Sequence, residues 1–369
     1  MSDNLKRTPL YEEHQRAGGK IVPFAGWEMA VQYPGGIMAE HHKVRTAAGL
    51  FDVCHMGELE IRGPQALDLV QHVTTNDASR LAVGQAQYSV ICYEDGGAVD
   101  DCIVYRFPDH YLIVVNASNA EKDRDWIARF EPQFDARLID RSEETGLIAL
   151  QGPLSQQILA RLTESDLDAI AYYHFAEGQV AGVPAVISRT GYTGEDGFEI
   201  AVAAADTPGV WRRLLEAGTP EGIAPIGLGA RDSLRLEMGY ALYGNDIDDR
   251  HTPLEAGLGW VTKLEKGDFV GSQRLRAQKA EGVRQRLVGF VLKEKGFPRH
   301  GYGVRYQGEP AGEVTSGLLS PSLGYGVGMA YVAAEAAKPG TAIEIVIRDK
   351  ALPGEVVRPP FYKQSSVRK

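Results

Sequence analysis

Residues 88–116 read YSVICYEDGGAVDDCIVYRFPDHYLIVVN. Two turn signals, Glu94-Asp95-Gly96-Gly97 and Pro108-Asp109-His110, split this stretch into three apolar runs. Connections this short join antiparallel neighbours, so residues 88–93, 99–107 and 111–116 are expected to form a meander. A parallel doubly wound sheet needs a helical crossover between consecutive strands, and there is no room for one here. The fold class is therefore α+β, with antiparallel sheets. Alternation along the middle strand puts Val99, Asp101, Ile103, Tyr105 and Phe107 on one face, and Asp100, Cys102, Val104 and Arg106 on the other. Asp101 thus interrupts an apolar, aromatic face. An ionised carboxylate there costs free energy unless it is paired or hydrogen-bonded, and such a cost often marks a functional group. The alternative is an aspartate that only accepts backbone N–H bonds after a hairpin turn. Alternation makes Asp100 the exposed or salt-bridged member of the pair.

Outward from this meander the chain alternates helical and extended signals. Thr8-Pro9 is a helix start and Gly18-Gly19 its stop. The aromatic run IVPFAGWEMAVQY after it reads as irregular or extended. AEHHKVRTAAGLF, PQALDLVQHVT, NAEKDRDWIARF, LSQQILARL, VWRRLLEAG and GARDSLRLEMGYALYG read as helices, and GELEIRG and TGLIALQGP as strands. Residues 265–285 are charged and polar and are expected to link to a last module. From residue 287 short strands separated by glycine and proline predict a β-barrel or jelly-roll-like domain of about 85 residues.

The 369 residues carry a net charge of −10. An acidic chain lacks the basic field that nonspecific nucleic-acid binding requires, so no nucleic-acid partner is expected. No run of apolar residues reaches membrane length and the N-terminus has no apolar signal core, so no membrane partner and a cytoplasmic location are expected. The three cysteines form no framework and no CxxC pair. There is no P-loop, no HExxH and no GxSxG; GLGARDS and GYGVGMA lack the context of a dinucleotide fingerprint, and no metal site is expected.

Two further stretches stand out. RTGYTGEDGFEI surrounds Tyr192, Glu195 and Glu199 with glycines that permit close ligand approach. On its outgoing strand Phe198, Ile200 and Val202 face one way and Glu199 the other. Arg231 falls in the first turn of its helix, where the dipole disfavours a cation, so an anionic partner is expected: Asp232, Glu237 or a ligand.

In chain order, TPLYEEHQRAGGKIVPFAGWEMAVQY, GLFDVCHMGELEIRGP, GGAVDDCIVYR, YLIVVNASNAEKD, LIALQGP, SRTGYTGEDGFEI, GLGARDSLRLEMGYALYGND and EVTSGLLSPSLGYGVGMAYV resemble the T-protein family of the glycine cleavage system, nearly end to end. The resemblance implies a three-domain cloverleaf around a central folate channel: residues 1–50 with 140–250, residues 51–139 with 251–280 in a ferredoxin-like unit, and residues 281–369 as the barrel. It implies an aminomethyltransferase that moves the methylene carbon of an aminomethyl group from the lipoyl arm of H-protein to tetrahydrofolate, releasing ammonia. Related folate-dependent demethylases and a non-catalytic folate-binding protein are the alternatives on the same fold. Carried over residue by residue, the resemblance makes Asp101 the catalytic carboxylate. It makes Met56, Tyr88, Tyr105, Asn116, Tyr192, Glu199, Arg231, Tyr240 and Tyr362 folate contacts. For the partner, Lys6, Arg7, Lys20, Lys43 and Arg45 are expected to supply positive charge to a docking surface.

Overall fold

Helix α1 (Tyr11–Arg16), the hairpin of β1 (Lys20–Phe24) and β2 (Trp27–Gln32), and helix α2 (Gly36–Thr46) begin the computed structural model, which describes residues 5–367. The aromatic run after α1 is thus a hairpin, turning at Ala25 and Gly26 with positive φ. β3 (Gly49–Asp52) follows and joins a six-stranded sheet with β9 to β13, defined below. β4 (Gly57–Arg62), helix α3 (Ala66–Val73), β5 (Gln85–Cys92), β6 (Ala98–Arg106), β7 (His110–Val115), helix α4 (Ala120–Ala128) and β8 (Arg137–Asp140) build the second unit. Its sheet order is β5-β6-β7-β4-β8, antiparallel throughout. The meander is as expected. Leu59, Ile61, Cys102, Val104 and Ile113 on one face of the sheet bury against Leu69 and Val70 of α3 and Trp126 and Ile127 of α4.

The chain then returns to the first sheet through β9 (Thr145–Gln151), helix α5 (Ser155–Leu159), β10 (Phe175–Val180), β11 (Val183–Ser188), β12 (Gly197–Ala203), helix α6 (Thr207–Ala217), β13 (Ala224–Ile226) and helix α7 (Leu228–Met238). The sheet order is β10-β11-β12-β9-β3-β13, in which only β13 beside β3 runs parallel. Leu50, Leu150, Phe198 and Ile200 pack on Val210, Trp211 and Leu214 of α6. Residues 265–285, expected as a link, instead hold helix α8 (Ser272–Glu281), whose Leu275 is fully buried with Val90, Cys92 and Ala98. β14 (Gln285–Leu292), β15 (Gly303–Tyr306), β16 (Glu309–Leu319), β17 (Gly326–Ala333), β18 (Ala342–Ile347) and β19 (Lys350–Val357) close into a barrel, which removes every sheet edge from solvent. No described helix is long and apolar enough to cross a membrane.

The alternation expected on β6 fails at its start. Ile91 faces Asp100 but Cys92 faces Ala98, so Val99 is the extra residue of a β-bulge. The bulge turns Val99 into the core with Cys102 and Val104. Asp100 is neither exposed nor salt-bridged: it is fully buried on that same face, where neighbouring amides satisfy it. The face that keeps Asp101 is not a core face but the wall of a cavity.

Glu237 on α7 ties the units together. It accepts from Arg45 Nη2 of α2 at 2.9 Å, from Ser322 N at 2.9 Å and Ser322 Oγ at 2.8 Å in the loop after β16, and lies 3.2 Å from His41. Its backbone oxygen accepts from Phe361 and Tyr362 after the barrel. Arg45 also pairs with Glu195 at 2.8 Å and is 7% exposed, so it supplies no surface charge for docking.

Burial would raise the Glu237 and Asp52 carboxyls. Donors reverse this and hold both at about 2: His41, Ser320 and Arg45 for Glu237, and His14 and Thr8 for Asp52. Folded, both bind fewer protons than unfolded, so their stabilisation is complete above their ordinary values of 4.5 and 3.8 and is lost as pH falls towards 2. Calorimetric melts should show Tm falling through that window. Glu237→Gln should lower stability at pH 7 by roughly 3–5 kcal/mol, the range for removing one partner of a buried pair, and flatten the acid slope.

Candidate active site

The two sheet units and the barrel meet around a cavity of about 890 Å³. β5 and β6 bring Tyr88, Asp101 and Tyr105 to its wall; β7 ends there at Asn116; β12 contributes Glu199; α7 contributes Arg231, and the chain leaving α7 contributes Tyr240. Met56, between β3 and β4, and Tyr192, in the glycine-rich loop before β12, complete the set. Tyr362 is the expected site residue that does not arrive. Its backbone N–H bonds Glu237 and its ring lies 4.2 Å under the Arg45 guanidinium, because the chain after β19 lines the cavity only as far as Arg358 and Pro359 and then runs over α7.

Asp101 opens onto the cavity deep inside the molecule. Its Oδ2 accepts from the Tyr88 hydroxyl at 2.9 Å and its Oδ1 from Asn116 Nδ2 at 2.8 Å. Burial first, then the charge of Asp100, raises its carboxyl well above the usual range, and these two donors only partly offset the rise. It is therefore suited to holding a proton near neutral pH. The Tyr88 ring stacks 6.1 Å from Trp260, which is 64% exposed at the mouth.

Also in the cavity lining, Glu199 accepts from Thr190 Oγ1, and burial raises its carboxyl. Arg231 takes neither protein carboxylate expected for it. Asp232 pairs with Arg235 at 2.7 Å, and Glu237 is committed to Arg45. Arg231 instead donates from Nη1 to His55 Nε2 at 3.3 Å and lies 5.5 Å over the Tyr192 ring, with no ion pair among the described residues. Burial and the Arg231 charge push His55 down to about 3, so it stays a neutral acceptor. Tyr192 donates its hydroxyl to the Ala241 carbonyl and stacks 5.8 Å from Tyr240. The result is a tyrosine-walled chamber whose lining carries two carboxylates and a guanidinium.

Sequence reasoning missed His55, Trp260, Tyr172 and Tyr173. A signal existed for the tyrosines: the run Tyr172-Tyr173-His174-Phe175 has four rings and no helical or strand period. Trp260 follows glycines in GLGW without a periodic neighbour. His55 had none beyond its adjacency to Met56. Among the described residues no group of three or more His, Cys, Asp or Glu side chains is arranged to hold a metal ion.

Residues 10–266 match the family model described as the GCVT N-terminal domain, and residues 285–363 that of the glycine cleavage T-protein C-terminal barrel domain. An aminomethyltransferase of Symbiobacterium thermophilum is 51% identical over 371 residues, covering 98% of this chain and 99% of that protein. One of Rubrobacter xylanophilus is 50% identical over 361 residues, covering 98% of this chain and 95% of that protein. The crystal structure of the glycine cleavage system aminomethyltransferase T of Bartonella henselae superposes with a TM-score of 0.92 at 34% identity, covering 99% of this chain and all of that one.

The raised Asp101 carboxyl has a consequence for the unliganded protein. Its ionised form is disfavoured in the fold, so it subtracts stability as pH rises above its ordinary value of 3.8. Asp101→Asn should therefore melt higher than the parent at pH 8, by roughly 2 °C for about 1 kcal/mol in a chain this large, and should gain nothing at pH 4. Parallel melts at the two pH values check the sign.

Proposed function

The chain belongs to the glycine cleavage T-protein family and works as an aminomethyltransferase of that system, and on this premise we propose that its central cavity binds tetrahydrofolate and receives the aminomethyl-lipoyl arm of H-protein. The observation that carries this reading is the convergence of Asp101, Glu199 and Arg231 on one cavity of about 890 Å³ walled by tyrosines. That volume lies in the range of small-molecule sites, ~300–1,000 Å³. A pterin presents adjacent donors and an acceptor along its amino-pyrimidine edge. A carboxylate that accepts and a guanidinium that only donates are matched readers of such an edge. Glu199 and Arg231 fill these roles; Tyr192, Tyr240 and Tyr105 supply the apolar bed with polar tips.

The reaction moves one carbon. Its bonds to sulfur and to nitrogen break, and bonds to two folate nitrogens form. The two protons released by the folate nitrogens leave on ammonia and on the lipoyl thiol. Asp101 accepts a hydrogen bond from the attacking folate nitrogen and stabilises positive charge as it develops on the methylene carbon. Its raised proton affinity lets it hold a proton in transit. Tyr88 and Asn116 fix the direction of its two oxygens, so its lone pairs are aimed before substrate binds. The folate is a co-substrate, and no resident metal is part of this scheme. The exposed Trp260 beside Tyr88 marks the side from which an arm reaches Asp101.

The test is ammonia release from aminomethyl-loaded H-protein. Ammonia and methylenetetrahydrofolate should appear in equal amounts, and only with tetrahydrofolate present; release independent of folate would overturn the reading. Asp101→Asn should keep the fold and most folate affinity while turnover falls roughly 100-fold or more, the scale for one lost transition-state stabiliser. Asp100→Asn should fail differently, by losing melting temperature, since Asp100 accepts from three donor groups in the core.

Glu199→Gln should weaken tetrahydrofolate binding by roughly 1.5–3 kcal/mol, the range for hydrogen bonds to a charged group, with little change in the unliganded melt. Calorimetric titration reads the first effect and a melting curve the second. Normal affinity with a large stability loss would make Glu199 a structural residue.

A further inference from the structure

Beneath Asp101 lies a second carboxyl pair that the reaction scheme does not use. Asp100 and Asp123 are both fully buried. Asp100 is well supplied: Asn116 Nδ2 and Asn119 Nδ2 each reach its Oδ1 at 2.8 Å, and Asn116 N reaches its Oδ2 at 2.9 Å. Asp123, in the first turn of α4, is not. Neither of its carboxyl oxygens receives a hydrogen bond from any described donor, and both are sealed from solvent. Its side-chain neighbour is the carboxyl of Asp100.

Two carboxyl groups in contact cannot both stay ionised in a closed volume, and an ionised oxygen without a donor is costly to bury. A protonated Asp123 resolves both problems at once. It becomes a donor, and Asp100 Oδ2 retains a lone pair to accept from it. The surroundings favour the neutral form. Asp101 adds a third carboxylate, Lys122 is the nearby cation, and Cys102, Tyr88, Tyr93, Tyr173, Tyr192 and Tyr243 also face the cluster. Lys122 is itself engaged, with Val99 O at 2.5 Å and the Tyr243 hydroxyl at 3.0 Å. Burial and the Asp100 charge raise the Asp123 carboxyl far above its ordinary value, in agreement with the missing donors.

Asn116 passes this arrangement upward. Its Nδ2 reaches Asp100 Oδ1 and Asp101 Oδ1 at 2.8 Å each, so its two amide hydrogens are divided between the two carboxylates. A turned amide would set its oxygen against both, so Asp100 dictates which way Asn116 faces. We propose that Asp123 is a positioning residue: it stays protonated, donates to Asp100, and through Asp100 and Asn116 fixes the carboxylate of Asp101 on the cavity wall. The role in turnover rests on the aminomethyl-transfer reading, whereas the shared proton does not.

The experiment compares Asp123→Asn and Asp123→Leu in the full chain. An asparagine amide donates where the neutral acid donates; a leucine of similar volume cannot. Asp123→Asn should keep turnover within about threefold of the parent, with the same pH profile, as expected of a neutral-for-neutral exchange. Asp123→Leu should lose roughly tenfold or more in kcat, the scale for a misplaced reacting group, with tetrahydrofolate affinity unchanged. The acid limb of its pH profile should move to higher pH, because Asp100 loses the donor that spreads its charge away from Asp101. Infrared spectra of the unliganded protein at alkaline pH, where Asp101 is ionised, should show a protonated-carboxyl band in the parent that disappears in Asp123→Asn. That band decides the shared proton even if Asp123→Leu does not fold or the parent shows no transferase activity. A band unchanged in Asp123→Asn, an Asp123→Asn variant as impaired as Asp123→Leu, or a folded Asp123→Leu with parental turnover and pH profile would each overturn the proposal.

Discussion

The buried carboxylate of Glu237 is the constraint on which the arrangement of this molecule rests. Taking an ion out of water costs several kcal/mol in practice, roughly, unless donors replace its hydration. Here the donors come from different parts of the chain: Arg45 on α2, and Ser320 and Ser322 after the barrel strand β16. Each donor gains only if the others stay, so the helix, the first sheet and the barrel are held in one relative position. The helix carrying Glu237 also carries Arg231, less than two turns earlier, and leads directly into Tyr240. Gly239, between Glu237 and Tyr240, has φ of 70°, and a Cβ there would collide with Pro359. Only glycine suits a left-handed helix end this close to another chain segment. A structural ion pair thus sets where the cavity-facing groups lie.

The chemistry of the cavity follows from unequal neutralisation. Arg231 and Arg235 are one helical turn apart, yet they have opposite fates. Arg235 is enclosed by Asp232, Asp246 and Ser316, and bridges α7 to the barrel. Among the described residues Arg231 contacts the neutral His55 and a tyrosine face and forms no ion pair. The carboxylates repeat the contrast: Asp246 is satisfied by Arg235, Thr315 and Ser316, whereas Glu199 and Asp101 accept mostly from neutral groups. Incompletely neutralised charges at the wall of an apolar chamber are strong recognition elements, because little water competes for them.

Much of this was legible before any coordinates. Turn residues and strand periodicity carried the antiparallel meander and the closed barrel, since both are local signals. Alternation placed Phe198, Ile200 and Val202 against Glu199, as observed. The same rule misplaced Val99, because a bulge shifts the phase of side chains and leaves no mark in the composition; it put Asp100 on the observed face but could not show that this face is core. The polar segment ending in α8 was misread as a link because one fully buried leucine, Leu275, anchors an otherwise charged helix. Arg45 was misread as surface charge because a basic residue on a helix does not reveal whether acids from distant segments will enclose it.

The sequence by itself determined the fold class, the antiparallel meander, most of the helices, and the identity of the charged residues at the turns and helix starts. These depend on backbone preferences and on spacing within about ten residues, a range over which chain order and spatial order coincide. Tertiary structure alone decided which charges are satisfied and which stay available. Asp232 and Glu237 lie within six residues of Arg231, but Arg235 and Arg45 take them instead. Asp100 and Asp101 are adjacent in the chain, yet one enters the core and the other a cavity. Electrostatic pairing is settled by proximity in space, and residues such as Glu237 and Arg45, 192 positions apart, meet only once the fold has formed.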